Sequence, residues 1–169
     1  MSTSRTAEPA SGASSASLAR VLADAEARGL SIAPQRLGEG TRTAEDAARA
    51  CCCGVDQIVK SIVFREAGSG RHLLFLTAGG NRVDPARASA LAGVALAKAN
   101  AASIRAHTGF AIGGVAPLGH LTSIETFLDP RLLDFEVIWA AAGTPHHVFA
   151  VEPRALRAAL APTIGDFTA

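Results

Sequence analysis

Between Gln57 and Thr77 the chain carries two short apolar runs on either side of Gly68-Ser69-Gly70, and this pair constrains the fold more than any other stretch. The first, Ile58-Val59-Lys60-Ser61-Ile62-Val63-Phe64, is rich in β-branched residues, which lose rotamer freedom in a helix and pack well on a pleated sheet. The second, His72 to Thr77, is equally short and apolar, and the glycine-rich gap permits a hairpin. A chain built around such a pair needs further layers to cover it.

Those layers are legible in the flanking sequence. Leu18, Val21, Leu22 and Ala25 recur at helical spacing, so residues 17–28 read as an amphipathic helix ending near Gly29. Residues 30–40 read as strand or loop. Thr43 is placed to cap a helix whose apolar face carries Ala44, Ala47, Ala48 and Cys51, with a stop expected at Gly54. Asp84-Pro85 opens a helix that Gly93 ends, and Asn100 opens another that runs to His107 before Gly109. Short strands are expected at 94–97, 123–127, 135–141 and 147–151, followed by a helix from Pro153 to Leu160. Strands joined by helices alternate with hairpin-connected strands. The expected class is α/β, bordering on α+β, around a mixed sheet.

The 169 residues fit one domain, and 49% of them are apolar, enough for a core. The Ser- and Ala-rich stretch 1–16 reads as a disordered leader, residues 17–162 as the domain and 163–169 as a C-terminal tail. No apolar run approaches the roughly 18 residues needed to span a bilayer, and the N-terminus lacks the apolar centre of a secretion signal, so a cytoplasmic protein is expected. The formal net charge of +1 excludes a strongly basic tract as a means of holding nucleic acid; any such contact has to be local. Cys51, Cys52 and Cys53 are adjacent and cannot direct three sulfurs to one tetrahedral metal. They read as small residues near a helix end, with a nucleophilic cysteine as the alternative.

Three features look chemical. Sixteen basic residues include only two lysines, Lys60 and Lys98. Lys60 shares a strand face with Ile58, Ile62 and Phe64, so its ammonium either snorkels to the surface or is partly buried and takes a ligand. The loop Gly113-Gly114-Val115-Ala116-Pro117 allows a ligand close to the main chain and presents amide N–H groups, or simply makes a tight turn. It is neither a Walker loop nor a dinucleotide fingerprint. His146 and His147 follow the Gly143-Thr144-Pro145 turn; neighbours on a strand face opposite ways, so at most one serves a given site. No nucleophile elbow, zinc motif or paired acidic motif is present.

Taken in order, these stretches resemble the YbaK/EbsC family, the stand-alone relatives of the editing domain inserted in bacterial prolyl-tRNA synthetases. The resemblance is carried by Gln57 to Phe64, by Thr108-Gly109-Phe110-Ala111-Ile112-Gly113-Gly114-Val115-Ala116-Pro117-Leu118-Gly119-His120, and by Ala142 to Phe149. It covers roughly residues 17–162. The run Cys51-Cys52-Cys53 departs from the varied residues expected there and touches no functional position.

The resemblance implies a mixed sheet partly closed into a barrel with helices outside, and a deacylase of mischarged tRNA, commonly tRNA for proline carrying a small wrong amino acid. It implies no cofactor and no metal. The family's lysine falls on Lys60 and its Gly-x-x-x-Pro loop on Gly113 to Pro117. Lys60, Gly113 and Gly114 are thus the implied catalytic set. Val115, Pro117, Gly143, His146, His147 and Thr43 are the implied substrate-binding set, with Thr41 and Ile62 as pocket neighbours. The implied partners are the acceptor end of a mischarged tRNA and an aminoacyl-tRNA synthetase, and the implied state is a monomer or weak homodimer. Three other readings compete: a non-catalytic tRNA- or nucleotide-binding regulator, a hydrolase of other small acyl esters, and a cysteine hydrolase using Cys51, Cys52 or Cys53.

Overall fold

The apolar pair forms the expected hairpin. In the computed structural model, which describes residues 12–169, β2 (Val59–Glu66) runs antiparallel to β3 (His72–Ala78), with Lys60 opposite Thr77 and Phe64 opposite Leu73. Every residue of β3 is buried, so both faces of this strand are covered. The sheet grows outward from it: β5 (Glu125–Leu128) joins β3 in parallel and β8 (Thr163–Ile164) joins β5 in parallel, while β4 (Leu96–Lys98) pairs antiparallel with β2. The strand order is β4-β2-β3-β5-β8, a mixed sheet. A second, antiparallel sheet has the order β1-β7-β6, from Gln35–Arg36, His147–Val151 and Ile138–Ala141.

The expected closure into a barrel is not what the strands do. Among the described residues the two sheets stay separate in their strand pairing, joined by a single parallel bridge between Ile58 and Trp139. β2 has β4 beside it only at residues 64–66, so between that contact and the Ile58 bridge its outer edge has no strand partner.

One core lies between the two sheets. There Val21 and Ala25 of α1 (Gly12–Ala27) meet Val63, Leu74, Leu76, Leu118, Ile138 and Phe149. The other face of the larger sheet carries a second cluster in which Phe75 stacks on Phe127 at 4.6 Å and meets the edge of Phe167 at 5.0 Å. Helix α3 (Pro85–Ala92) covers this cluster.

Local chemistry sets the helix ends. Asp84 accepts from the amides of Ala86 and Arg87, and Gly93 closes α3 at φ 74°. Asn100 caps α4 (Ala101–Thr108) on the amide of Ser103, and Gly109 ends it at φ 82°. Thr43 and Asp46 form a capping box on α2 (Ala44–Ala50). This helix stops at Cys51, short of Gly54, because Cys52 turns left-handed at φ 54°. The strand expected from residue 135 begins at Ile138; a 3-10 turn, Pro130–Asp134, precedes it and Phe135 packs under the Arg131 guanidinium at 4.6 Å. Helix α5 (Pro153–Leu160) opens on its proline.

Both expected termini need correction. The leader assigned to 1–16 lies outside the described residues up to residue 11, and helix begins at Gly12. Residues 163–169 are built into the fold: β8 extends the sheet, Phe167 is fully buried and Thr168 bridges Val83. No helix among the described residues is long and apolar enough to cross a membrane.

Candidate active site

The unpartnered stretch of β2 is where the site forms. A cavity of about 550 Å³ opens there, walled by β2, by the β6–β7 hairpin, by the glycine loop and by the residues leading into α2. A strand edge exposes side chains of both faces, which is why Lys60, Ser61 and Ile62 all line it although they alternate along the strand.

Lys60 is half-buried, and its Nζ donates to the backbone carbonyl of Asn81. Asn81 is fixed in turn: its side-chain amide donates to Asp129 Oδ2 at 2.9 Å. Asp129 is buried and also accepts from the amides of Ala78, at 3.1 Å, and Arg131, at 3.0 Å. No carboxylate forms an ion pair with Lys60 among the described residues. Its pKa is pulled below the ordinary lysine value by burial and by Arg82, against the opposing pull of Glu45, Asp56 and Asp129. The ammonium is thus anchored by a neutral carbonyl and keeps N–H groups for a ligand.

The glycine loop and the turn after β6 are docked on each other. A Cβ on Gly114 would lie 2.7–2.9 Å from backbone atoms of Thr144 and Pro145, so only glycine lets these segments meet. Gly113, at φ 86°, faces open space and lines the cavity with Val115. The amide of Gly114 is donated to Ala111 at 3.0 Å, so it is not free for an oxyanion. The amides of Gly113 and Val115 have no intramolecular acceptor among the described residues. The loop's far end is held by Asp24, which accepts from the Gly119 amide at 2.7 Å, and by His120, whose Nε2 meets the Ala116 carbonyl at 2.7 Å.

The two histidines separate as their alternation requires. His146 lines the cavity; His147 points elsewhere and holds Thr144 Oγ1 at 2.6 Å through Nδ1. Burial, then Arg36 and His146, lower the pKa of His147, which favours the neutral ring. Of the expected residues, Lys60, Gly113, Val115, His146 and Thr43 meet at the cavity, as do Thr41 and Ile62. Thr43 also spends its hydroxyl on the cap of α2, accepting from Asp46. Gly114, Pro117, Gly143 and His147 stand behind the wall; Gly143 adopts φ 96° against Phe110 and α1.

Trp139 and Ser61 are among the lining residues outside the expected set. Trp139, the chain's one tryptophan, contributes an aromatic surface from β6. Ser61 lines the cavity with a buried Oγ that has no partner within the protein. Such a hydroxyl destabilises the fold unless a ligand satisfies it. No cysteine lines the cavity, and burial pushes the Cys51 thiol up to about 11, which leaves little thiolate for the cysteine-hydrolase reading.

The family model of the aminoacyl-tRNA editing domain matches residues 38–159, a span that includes every lining residue of this cavity except Leu37. The chain belongs to the aminoacyl-tRNA editing domain family. Similar solved structures include a proposed trans-editing enzyme for prolyl-tRNA synthetase, 39% identical, with a TM-score of 0.86 over 95% of this chain and 99% of that one. The hypothetical protein APE2540 is 25% identical, with a TM-score of 0.81 over 89% of this chain and 99% of that one. The uncharacterised protein YwhH of Bacillus subtilis (strain 168) is 28% identical over 114 residues, which are 68% of this chain and 72% of that protein.

Proposed function

We propose that this editing domain is an aminoacyl-tRNA deacylase that hydrolyses the ester of a mischarged tRNA, with tRNA for proline bearing a small wrong amino acid as the substrate class. The observation that carries this reading is the meeting of an unpaired Lys60 ammonium with two unengaged amides, of Gly113 and Val115, at one cavity. About 550 Å³ is within the range of small-ligand sites and suits a terminal adenosine with a small acyl group. Trp139 offers the adenine a stacking surface.

An aminoacyl ester is already labile, so modest stabilisation of its tetrahedral intermediate is enough. Water attacks the ester carbonyl carbon; the carbonyl oxygen becomes an oxyanion facing the Gly113 and Val115 amides, with Lys60 supplying positive charge. The bond from the carbonyl carbon to the ribose oxygen then breaks, and the proton lost by the water passes to that oxygen. The products are the free amino acid and a tRNA with an intact 3′ end. The ribose hydroxyl neighbouring the ester positions the water, which accounts for the lack of a protein base. The resemblance to the prolyl editing family and the proposed trans-editing neighbour support proline tRNA as the carrier.

The test is deacylation of tRNA for proline charged separately with alanine, cysteine, serine, threonine and proline. Loss of a non-cognate ester with survival of the prolyl ester is expected; survival of every ester would end the proposal. Ser61 provides a finer check. Ser61→Ala removes a buried hydroxyl without a protein partner, so the thermal midpoint holds or rises, by about 1 kcal/mol of stability at most, while KM for the ester rises several-fold. A melt combined with steady-state kinetics separates this from a structural role, in which both would worsen.

A further inference from the structure

The chain's two lysines stand on the same side of the larger sheet. Lys60 and Phe64 share a face of β2, and Lys98 of β4 is paired with Phe64. Between them lies a second cavity of about 460 Å³, whose rim carries Lys60, Arg82 and Lys98 and whose floor carries Ile62, Phe64 and Leu96. No carboxylate lines it, and none of its three cations is in an ion pair among the described residues. Elsewhere five arginines, Arg28, Arg49, Arg71, Arg87 and Arg131, hold carboxylates. On a chain of formal charge +1, three cations around one cavity with no carboxylate in its lining make a local positive patch. Arg82 lies close enough to act on Lys60, against the opposing pull of Glu45, Asp56 and Asp129, and an entering anion is attracted by both cations.

Lys60 and Ile62 belong to both cavities, so the two are contiguous across β2. This matters for the substrate, because the deacylase reading puts only the terminal aminoacyl-adenosine at the first cavity. The rest of a single-stranded RNA end has to leave it, carrying one phosphodiester per nucleotide.

Resting on that reading, we propose that the second cavity holds the nucleotide preceding the terminal adenosine, with its phosphodiester on Arg82 and Lys98 and its base over Ile62, Phe64 and Leu96. An apolar floor with a cationic rim matches a base attached to a phosphate, which neither feature alone would do. It also explains how a near-neutral chain gains local hold on RNA without a basic tract.

The test is binding of a 5′-labelled cytidine-cytidine-adenosine trinucleotide, alongside unphosphorylated adenosine, across a salt series. Lys98→Ala and Arg82→Ala are each expected to weaken the trinucleotide on the order of fivefold to tenfold and to shrink its advantage over adenosine. Each should also flatten the salt slope by about 0.7, the share of one neutralised phosphate on a single strand. Arg154→Ala, an exposed cation on α5, serves as the control. Unchanged affinity and slope in both variants would overturn the proposal. So would displacement of the trinucleotide by inorganic phosphate at comparable concentration, which would make the cavity a free-anion site. The probe is uncharged RNA and cannot be hydrolysed as an ester, so this outcome is independent of the deacylation result.

Discussion

Replacing Lys60 by alanine is expected to abolish the proposed ester hydrolysis and to leave the fold standing. A single donor to a developing oxyanion is worth on the order of 10²–10³ in rate, and Lys60 adds a full charge to the amide donors of the proposed oxyanion site. The fold loses little in exchange. The ammonium is bound to one carbonyl, that of Asn81, and pairs with no carboxylate, so its removal strands no buried counter-charge. Asn81 stays in place because Asp129 holds its side chain independently. Single-turnover deacylation with a parallel melt checks both halves, and activity retained in Lys60→Ala would remove Lys60 from the mechanism. Lys60→Arg is not expected to rescue, because a planar fork cannot occupy the place of a compact ammonium. The Lys60-dependent part of the rate has a pH signature. The charged form exists below a pKa that burial and Arg82 have lowered, so this component declines on the alkaline side earlier than for a lysine in water.

The largest effect on stability belongs to Phe167. Its ring is fully buried against Phe75 at 5.0 Å, in a cluster closed by Phe127 and α3, and no exposed surface can collapse into the space it fills. Phe167→Ala should cost about 3–5 kcal/mol, the range for emptying an aromatic site in a packed core. Denaturant unfolding with an unchanged m-value checks it; a loss below about 1 kcal/mol would mean that this segment is not docked. The same segment fastens the wall of the second cavity. The Phe167 carbonyl accepts from the Asp84 amide at 2.8 Å, and the Arg82 carbonyl accepts from the Ala169 amide at 2.9 Å. Emptying the Phe167 site therefore also loosens Arg82.

Phe167 shows where sequence reasoning stops. What is written in neighbouring residues was legible: Asp84-Pro85 with Gly93, Asn100 with Gly109, and Thr43 as the cap of α2 all act within one turn of where they stand. The hairpin was legible because its two strands and its turn are contiguous. A seven-residue tail with one phenylalanine carries no such signal, since its partners, β5 and Phe75, are distant in sequence. The failure of the barrel to close has the same origin, because pairing between β2 and β6 depends on how two sheets pack. Within the site, Lys60 and the glycine loop stood out by residue type. Which histidine faces the cavity was set by the turn at Gly143 to Pro145, whose left-handed glycine fixes the phase of β7. Ser61 could not be singled out, because an unsatisfied hydroxyl is a property of its surroundings.

The walls of the reaction cavity differ in how freely they can vary over evolutionary time. β2, the glycine loop and the β6–β7 hairpin are tied into sheets or onto each other's backbones, so a change in any of them disturbs the others. The remaining wall is the stretch from residue 38 to 42, bounded by the Leu37 amide on the His146 carbonyl at 2.7 Å and by the α2 capping box. Between those two fastenings the chain belongs to no strand or helix. Residues there can be exchanged, inserted or removed at little cost to the scaffold. Under the proposed function, this stretch is where the ester accepted can be changed without rebuilding the scaffold.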